Sequence, residues 1–437
     1  MERTVPVRSS EEIDLYLRTI YSLLRSTTEI QIRSLEEVHS SINSSLHLYA
    51  RDPLPDTSAL IYSLLRLPDC IFQVKKIILG QTKTNFIQHG YGNVEEWTEV
   101  AARARRRRCF YDGGELMACY IASRSDIDDV VPTLTALQIE WNKLNNLLSF
   151  TPRDLYMTAT PAQPSAFQKL AEFLQMSVGD LSRLYSIYED RFSEVLEIFA
   201  SRRSNFQLQL LSGSLNDYRK ATEIWWENLE SQYPQINSRP MYFVSSNTHS
   251  LANILSGFAL SKQEELIDFI EEADQKSLHE EWENIKNQTV PVSQQNFFYY
   301  VMKKYQSTPK GKALIQEQIA FERKRGIYRF PSVHAFDIEA QVFDLSMLDP
   351  QSIDPRIAPC AQPGCAEWEF LRQSDAIIIN IDYPLGFGAY HLLTKIAENT
   401  SQILGIYVMG KAASLNGVRG DVILPNVVYD EHSKNTY

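Results

Sequence analysis

The chain reads as an α+β to α/β protein, with a mainly helical N-terminal region followed by a partial parallel α/β unit. Three observations predict this. Apolar residues recur at helical spacing through much of the first 345 residues. Near the C-terminus two continuous apolar runs, Ala376–Ile381 and Ile403–Met409, flank a helical stretch, the pattern of strands covered on both faces of a parallel sheet. Prolines cluster between Asp349 and Pro363 and separate the two textures. The expected organisation is a helical domain over 1–150 with a small hairpin and a mainly helical domain over 165–345. A partial α/β unit over 364–437 completes it.

Taken in order, Ile13, Leu17, Ile20 and Leu24 mark a first amphipathic helix, and a second amphipathic stretch runs on to Leu46. A helix starting near Val94 is expected to end in the run Arg103–Arg108. Cys109–Ile121 carries Asp112-Gly-Gly114 between strand-forming residues, a hairpin signal. Asp126-Ile-Asp-Asp129 opens a long helix with the stripe Ile127, Val130, Leu134, Leu137, Trp141, Leu144 and Leu148. Pro132 inside it predicts a kink or a later start. The three prolines of Thr151–Ser165 mark a linker. Helical stretches follow over Leu181–Phe199 and Asn216–Leu229. A short strand at Met241 then runs into the polar cluster Ser245–Ser250 and a helix over Leu251–Phe258, forming a strand–helix site near 241–258. The chain is again helical and charged to about Arg325.

Composition narrows the function classes. The hydrophobic fraction is 44%, the charged fraction 22% and the net charge −11, so a globular protein without general nucleic-acid binding is expected. No apolar run approaches the length of a membrane span, about 20 residues, and the N-terminus lacks the apolar core of a secretory signal. Five cysteines are few and odd in number, which suits a reducing, cytoplasmic setting. Cys360 and Cys365 have the spacing of half a metal knuckle but no second pair, so no metal and no cofactor is expected.

The C-terminal segment orders its pieces in a recognisable way. After the first apolar run come Gly386 and Gly388 and a helix over Ala389–Asn399. The second apolar run leads into Gly410-Lys411-Ala412-Ala413, then Gly420-Asp-Val-Ile-Leu-Pro425 and the polar Tyr429–His432. This order, over about 375–432, resembles the nucleoside phosphorylase and nucleosidase superfamily. The resemblance implies that the two apolar strands are parallel neighbours, joined by the helix and followed by a Gly-Asp-Val strand. It implies a ligand edge at Gly386, Gly388, Gly410 and Lys411 that handles phosphate and ribose. Lys411 stands where the family often has a small polar residue, and the family's ribose-binding Met-Glu element and catalytic acid lie downstream of the matched region. The resemblance therefore assigns no catalytic residue here and implies a chain that is inactive or incomplete alone, with a second copy or a completing chain as partner.

Ser245, Asn247, Thr248 and His249 form a second candidate site. Hydroxyls and free amides at a helix start can cradle an anion, although the same residues are what a helix cap prefers. The arginine run suits either phosphate recognition or pairing with the nearby aspartates. The resulting expectation is a protein that binds a nucleoside, nucleotide or phosphate, with cleavage of an N-glycosidic bond as its reaction if it is an enzyme. The alternative is a non-enzymatic regulatory or scaffold protein acting through its helical region.

Overall fold

The fold was analysed in a computed structural model, which describes residues 11–436 apart from 27–28, 43, 45, 212–214, 273–275, 333–337, 358–368, 384–385, 411–420 and 431–434. The chain divides into two compact units, residues 1–218 with 414–437, and residues 219–413. Both are mixed α/β, each built on a mixed sheet. No helix among the described residues is long and apolar enough to cross a membrane.

The first unit is not simply helical. It holds a six-stranded sheet in the order β1-β6-β2-β5-β4-β3, made of β1 (Ile30–Gln31), β2 (Lys76–Gly80), β3 (Thr98–Val100), β4 (Cys109–Tyr111), β5 (Leu116–Tyr120) and β6 (Gln207–Leu210). β2 runs parallel to β5 and β6, and the outer pairs are antiparallel. The expected hairpin is β4–β5. The central β2 is the short run Lys-Ile-Ile-Leu-Gly, buried from Ile77 onward, too short for its apolar run alone to separate strand from helix.

Over this sheet lie α1 (Glu11–Ser26), α2 (Glu36–Ser41), α3 (Thr57–Arg66) and α4 (Arg124–Leu148). The expected stripe of α4 is fully buried from Ile127 to Leu148. The helix starts at Arg124, where the Asp126 carboxylate accepts the amides of Ala122 and Ser123. Pro132 lies within it. Its opposite face is buried too, at Thr133, Thr135, Gln138 and Glu140, so α4 passes through the core.

Three expectations are corrected here. Val94–Glu96 is a single 3-10 turn and Thr98–Val100 a strand, so the arginine run is a loop entering β4 and not a helix end. The second amphipathic stretch is broken into a 3-10 turn over Ile32–Leu35 and the short α2. The proline-rich 151–165 segment carries a helix at Arg153–Thr158 and lies inside the first unit.

The second unit is built on β7 (Met241–Ser246), β8 (Ile327–Phe330), β9 (Ala340–Asp344), β10 (Ile377–Asp382) and β11 (Ile403–Val408), in the sheet order β11-β7-β10-β9-β8. α5 (Ser250–Ser256) follows β7, and α6 (Gly386–Asn399) joins β10 to β11. Gly257 ends α5 at φ +66°, where a Cβ would come 2.1 Å from the Ser352 carbonyl oxygen, so only glycine fits. A separate cluster packs Trp282, Phe297, Phe298 and Phe269 between helices of the 258–323 region.

β10 and β11 are parallel to the same strand but are not neighbours, because β7 lies between them. A strand 131 positions earlier fills the gap that the helical crossover was expected to close. β11 is consequently the sheet edge, and its side chains are exposed, with Val408 at 77% and Ile406 at 51%. The expected second buried strand is corrected to an exposed one. Residues 421–428 form no strand where the Gly-Asp-Val pattern implies one. Further on, β12 (Tyr429–Asp430) and β13 (Asn435–Thr436) make a small antiparallel ribbon.

Candidate functional site

In the second unit, the two sequence candidates meet. β7 and β10 pair in register from Met241↔Ile377 to Ser246↔Asp382, and Ser245 pairs with Val408 of β11. The three parallel strands therefore end together, and Ser245–His249, Asp382–Tyr383 and Met409–Gly410 all leave the same end of the sheet. Carboxyl ends of parallel strands are where open α/β sheets bind ligands.

A buried amide network shapes this edge. The Ser246 hydroxyl donates to Asn380 Oδ1 at 2.8 Å, and Asn380 Nδ2 donates to the Asn247 carbonyl and to Gln341 Oε1, both at 3.1 Å. Gln341 Nε2 donates to the Thr248 carbonyl at 2.8 Å. Asn380 and Gln341 are fully buried and directly opposed on β10 and β9. One arm of each amide reaches the loop after β7, at the Asn247 and Thr248 carbonyls, and the others tie the two amides to each other and to Ser246, so the network holds that loop to the sheet.

Asn247 works locally. Its Oδ1 accepts the amides of His249 at 2.8 Å and Ser250 at 2.7 Å, and its Nδ2 reaches the Ser250 hydroxyl and, at 3.4 Å, the Tyr383 hydroxyl. Two of the amides expected to hold an anion are thus engaged by a side chain. Ser245 and Thr248 are buried, and His249 is exposed. Across from them Asp382 is buried at the end of β10, and Tyr383 is held at φ +30°, an uncommon conformation for a bulky residue that recurs at ligand sites.

Gly386 is the exposed first residue of α6 and Gly388 lies buried in its first turn, so both sit in the helix and not in the turn before it. A Cβ at Gly410 would meet nothing within 4 Å, so no close approach demands glycine there. Lys411, like Cys360 and Cys365, lies outside the described residues. His391 is half-buried on α6, and burial followed by the Arg219 charge lowers its basicity.

The arginine run is spent on aspartates. Arg107 meets Asp129 at 2.7 Å and Asp126 at 3.6 Å, while Arg105 and Arg66 meet Asp129 at 3.0 and 3.1 Å. Arg103 faces Asp69 and Arg108 faces Glu95. Burial raises the Asp129 carboxyl, but Arg107 and Arg105 outweigh it and hold it below the ordinary range.

The first unit contains a site that the sequence reading missed. A cavity of about 360 Å³ has Tyr16, His39, His47, Ser63 and Thr133 among its buried walls and Leu46, Tyr62 and Asp128 nearer solvent. From its wall a chain of side chains runs inward. Tyr16 Oη lies 3.5 Å from His39 Nδ1, His39 Nε2 lies 2.9 Å from His47 Nδ1, and His47 Nε2 lies 2.8 Å from Glu140 Oε1. Glu140 also accepts the Asp56 amide at 2.6 Å and pairs with Lys143 at 2.7 Å. The one sequence signal was an acidic residue directly before Trp141 on a helix whose middle proves to be buried on every face.

Compared with known families, the chain matches a family of unknown function, DUF6909, over residues 32–437, and it belongs to that family. Neither the curated proteins nor the solved structures contain a match.

Proposed function

We propose that the second unit of this DUF6909 protein binds a nucleoside, a nucleotide or a phosphate-bearing sugar at the carboxyl ends of β7, β10 and β11. One observation carries the reading: the polar cluster Ser245–His249 and the pair Asp382–Tyr383, about 140 positions apart in sequence, leave the same strand ends. Asp382 and the Tyr383 hydroxyl supply an acceptor and a donor that sugar hydroxyls need, and Asn247 holds the loop that faces them. The first turn of α6, 14 residues long, offers amides to a phosphate. The resemblance to nucleoside phosphorylases supports the ligand class, and N-glycosidic bond cleavage is the reaction it implies if the chain is an enzyme. No general acid is assigned, so binding without turnover is the expected behaviour.

Calorimetric titration of the full chain with adenosine, AMP, ribose 5-phosphate and inorganic phosphate tests this. Binding of at least one, weakened in Tyr383→Phe and Asn247→Ala, is expected. Failure of all four to bind overturns the reading.

A second copy of the chain as the completing partner is favoured by the exposed apolar edge of β11 together with the exposed run Val422–Leu424. An open edge and an unpaired strand-forming run are complementary by backbone hydrogen bonding.

A further inference from the structure

We propose that the cavity of the first unit binds an uncharged, largely apolar small molecule and holds one carbonyl or hydroxyl oxygen of it through the Thr133 hydroxyl. The inference concerns a different unit from the strand-edge reading and is independent of it.

The wall is apolar because of where it is built. Leu17 comes from α1, Ala59 from α3, Pro132 and Ala136 from α4, and Ile42 and Leu46 from the segment after α2. The volume, about 360 Å³, is at the lower end of the roughly 300–1,000 Å³ of small-molecule sites, so the guest is compact. Leu46 reaches the surface, and Leu48 and Tyr49 after it are exposed too. The loop at the mouth therefore offers apolar surface to an arriving molecule.

The charged and most of the polar groups of the wall already have partners within the protein. Tyr16, His39 and His47 belong to the chain that ends on Glu140, and the Ser63 hydroxyl donates to the Ala59 carbonyl at 2.9 Å. Asp128 accepts the Tyr21 hydroxyl at 2.8 Å, with Arg124 3.7 Å away. Asp129 is matched by Arg66, Arg105 and Arg107. An anion would meet these carboxylates, and a cation would compete with the arginines for them. Neither gains a partner that would offset its desolvation, so the cavity favours a neutral guest.

Thr133 is the exception. It lines the cavity and is 6% exposed. Among the described residues its hydroxyl has no hydrogen-bond partner, and packing does not close it off. Thr135, two positions on, donates to the Val131 carbonyl at 2.8 Å, a bond of the kind that Thr133 does not make. Buried polar groups are as a rule paired, and an oxygen of the guest supplies the partner that Thr133 lacks. A mostly apolar lining with a few placed polar groups is the general make-up of small-molecule sites.

The test titrates the full chain calorimetrically with methyl hexyl ketone, octanoate and octyltrimethylammonium, which have chains of similar length and differ in charge. The ketone should bind, and both ions should bind about tenfold more weakly or worse. Thr133→Val keeps the shape and removes the hydroxyl, and it should weaken the ketone about tenfold, the loss of one buried hydrogen bond. Ala136→Phe fills the cavity and should abolish binding. If either variant does not fold, the methyl signals of Thr133 and Ala136 in the unaltered chain decide, shifting as the ketone is added. No binding of the ketone, an ion bound as tightly, an unchanged affinity in either variant, or unmoved methyl signals would overturn the proposal.

Discussion

Ser246 on β7 and Asn380 on β10, 134 positions apart in sequence, are joined by a buried 2.8 Å hydrogen bond. This contact is the innermost member of the network that sets the loop Asn247–Thr248. Asn380→Ala would remove the 2.8 Å acceptor of Ser246 and leave Gln341 Oε1 without its donor, while the Asn247 carbonyl keeps the Ser246 hydroxyl at 3.1 Å. Burying such groups unpaired destabilises by roughly 1–3 kcal/mol each. We expect the second unit to lose about 3 kcal/mol, read as a lowered urea midpoint. A loss within experimental error would mean that water replaces the amide and that the loop is not set by it.

His39 makes stability depend on pH. Its folded value, about 3, lies below the ordinary 6.5, so the unfolded chain takes the proton first. The stabilisation is complete above 6.5 and is lost as pH falls through the interval down to about 3. One such group contributes a slope of about 1.4 kcal/mol per pH unit there. Urea midpoints measured between about pH 7 and pH 5 should fall more steeply for the unaltered chain than for His39→Gln. Parallel slopes would show that the ring is not held neutral.

Asp129 carries three arginines, and removing its charge should cost more than any of them. Asp129→Asn leaves Arg66, Arg105 and Arg107 with Asp126, which only Arg107 approaches, at 3.6 Å. Losing one partner of a buried pair costs about 3–5 kcal/mol, and Asp129 is slightly exposed, so about 3 kcal/mol is expected. Denaturation of Asp129→Asn beside Arg66→Ala gives the comparison, and an equal loss in the two would show that the cluster does not act as a unit.

What the sequence showed and what it hid divide along physical lines. The stripe from Ile127 to Leu148 was legible because one helix writes its own period. The β4–β5 hairpin was legible because its turn is local. β2 was not, since three consecutive apolar residues carry no periodicity. The order β11-β7-β10 was hidden for a different reason: parallel strands pair by long-range packing, and nothing near Ile377 or Ile403 refers to Met241. The convergence of the Ser245 and Asp382 segments follows from that pairing and could not precede it. His39, His47 and Glu140 come from a short helix, a loop and a long helix whose middle, Thr133–Trp141, is buried on every face. In that helix an acidic residue reads as part of a solvated face and proves to be a core group.

The edge strand β11 supports the last prediction. Among the described residues no strand lies beyond it, and Ile406 and Val408 are exposed at 51% and 77%. The run Val422-Ile-Leu424 is exposed as well, with Val422 at 84% and Leu424 at 88%. A strand edge of this kind is a template for pairing unless charge or proline blunts it, and within Ile403–Val408 there is neither. Each copy offers both an edge and a run, and reciprocal pairing of the two between two copies would give a dimer. Light scattering across a concentration series should then show a monomer–dimer transition. Val408→Lys would place a charge on the apolar contact and shift the transition by about tenfold or more in concentration, the equivalent of about 1.4 kcal/mol. Leu424→Lys should do the same from the other side. Mixing the two variants should restore no more than one of the two contacts per dimer, a result that separates reciprocal exchange from general hydrophobic association. A chain that stays monomeric at every concentration would remove the second copy as the completing partner.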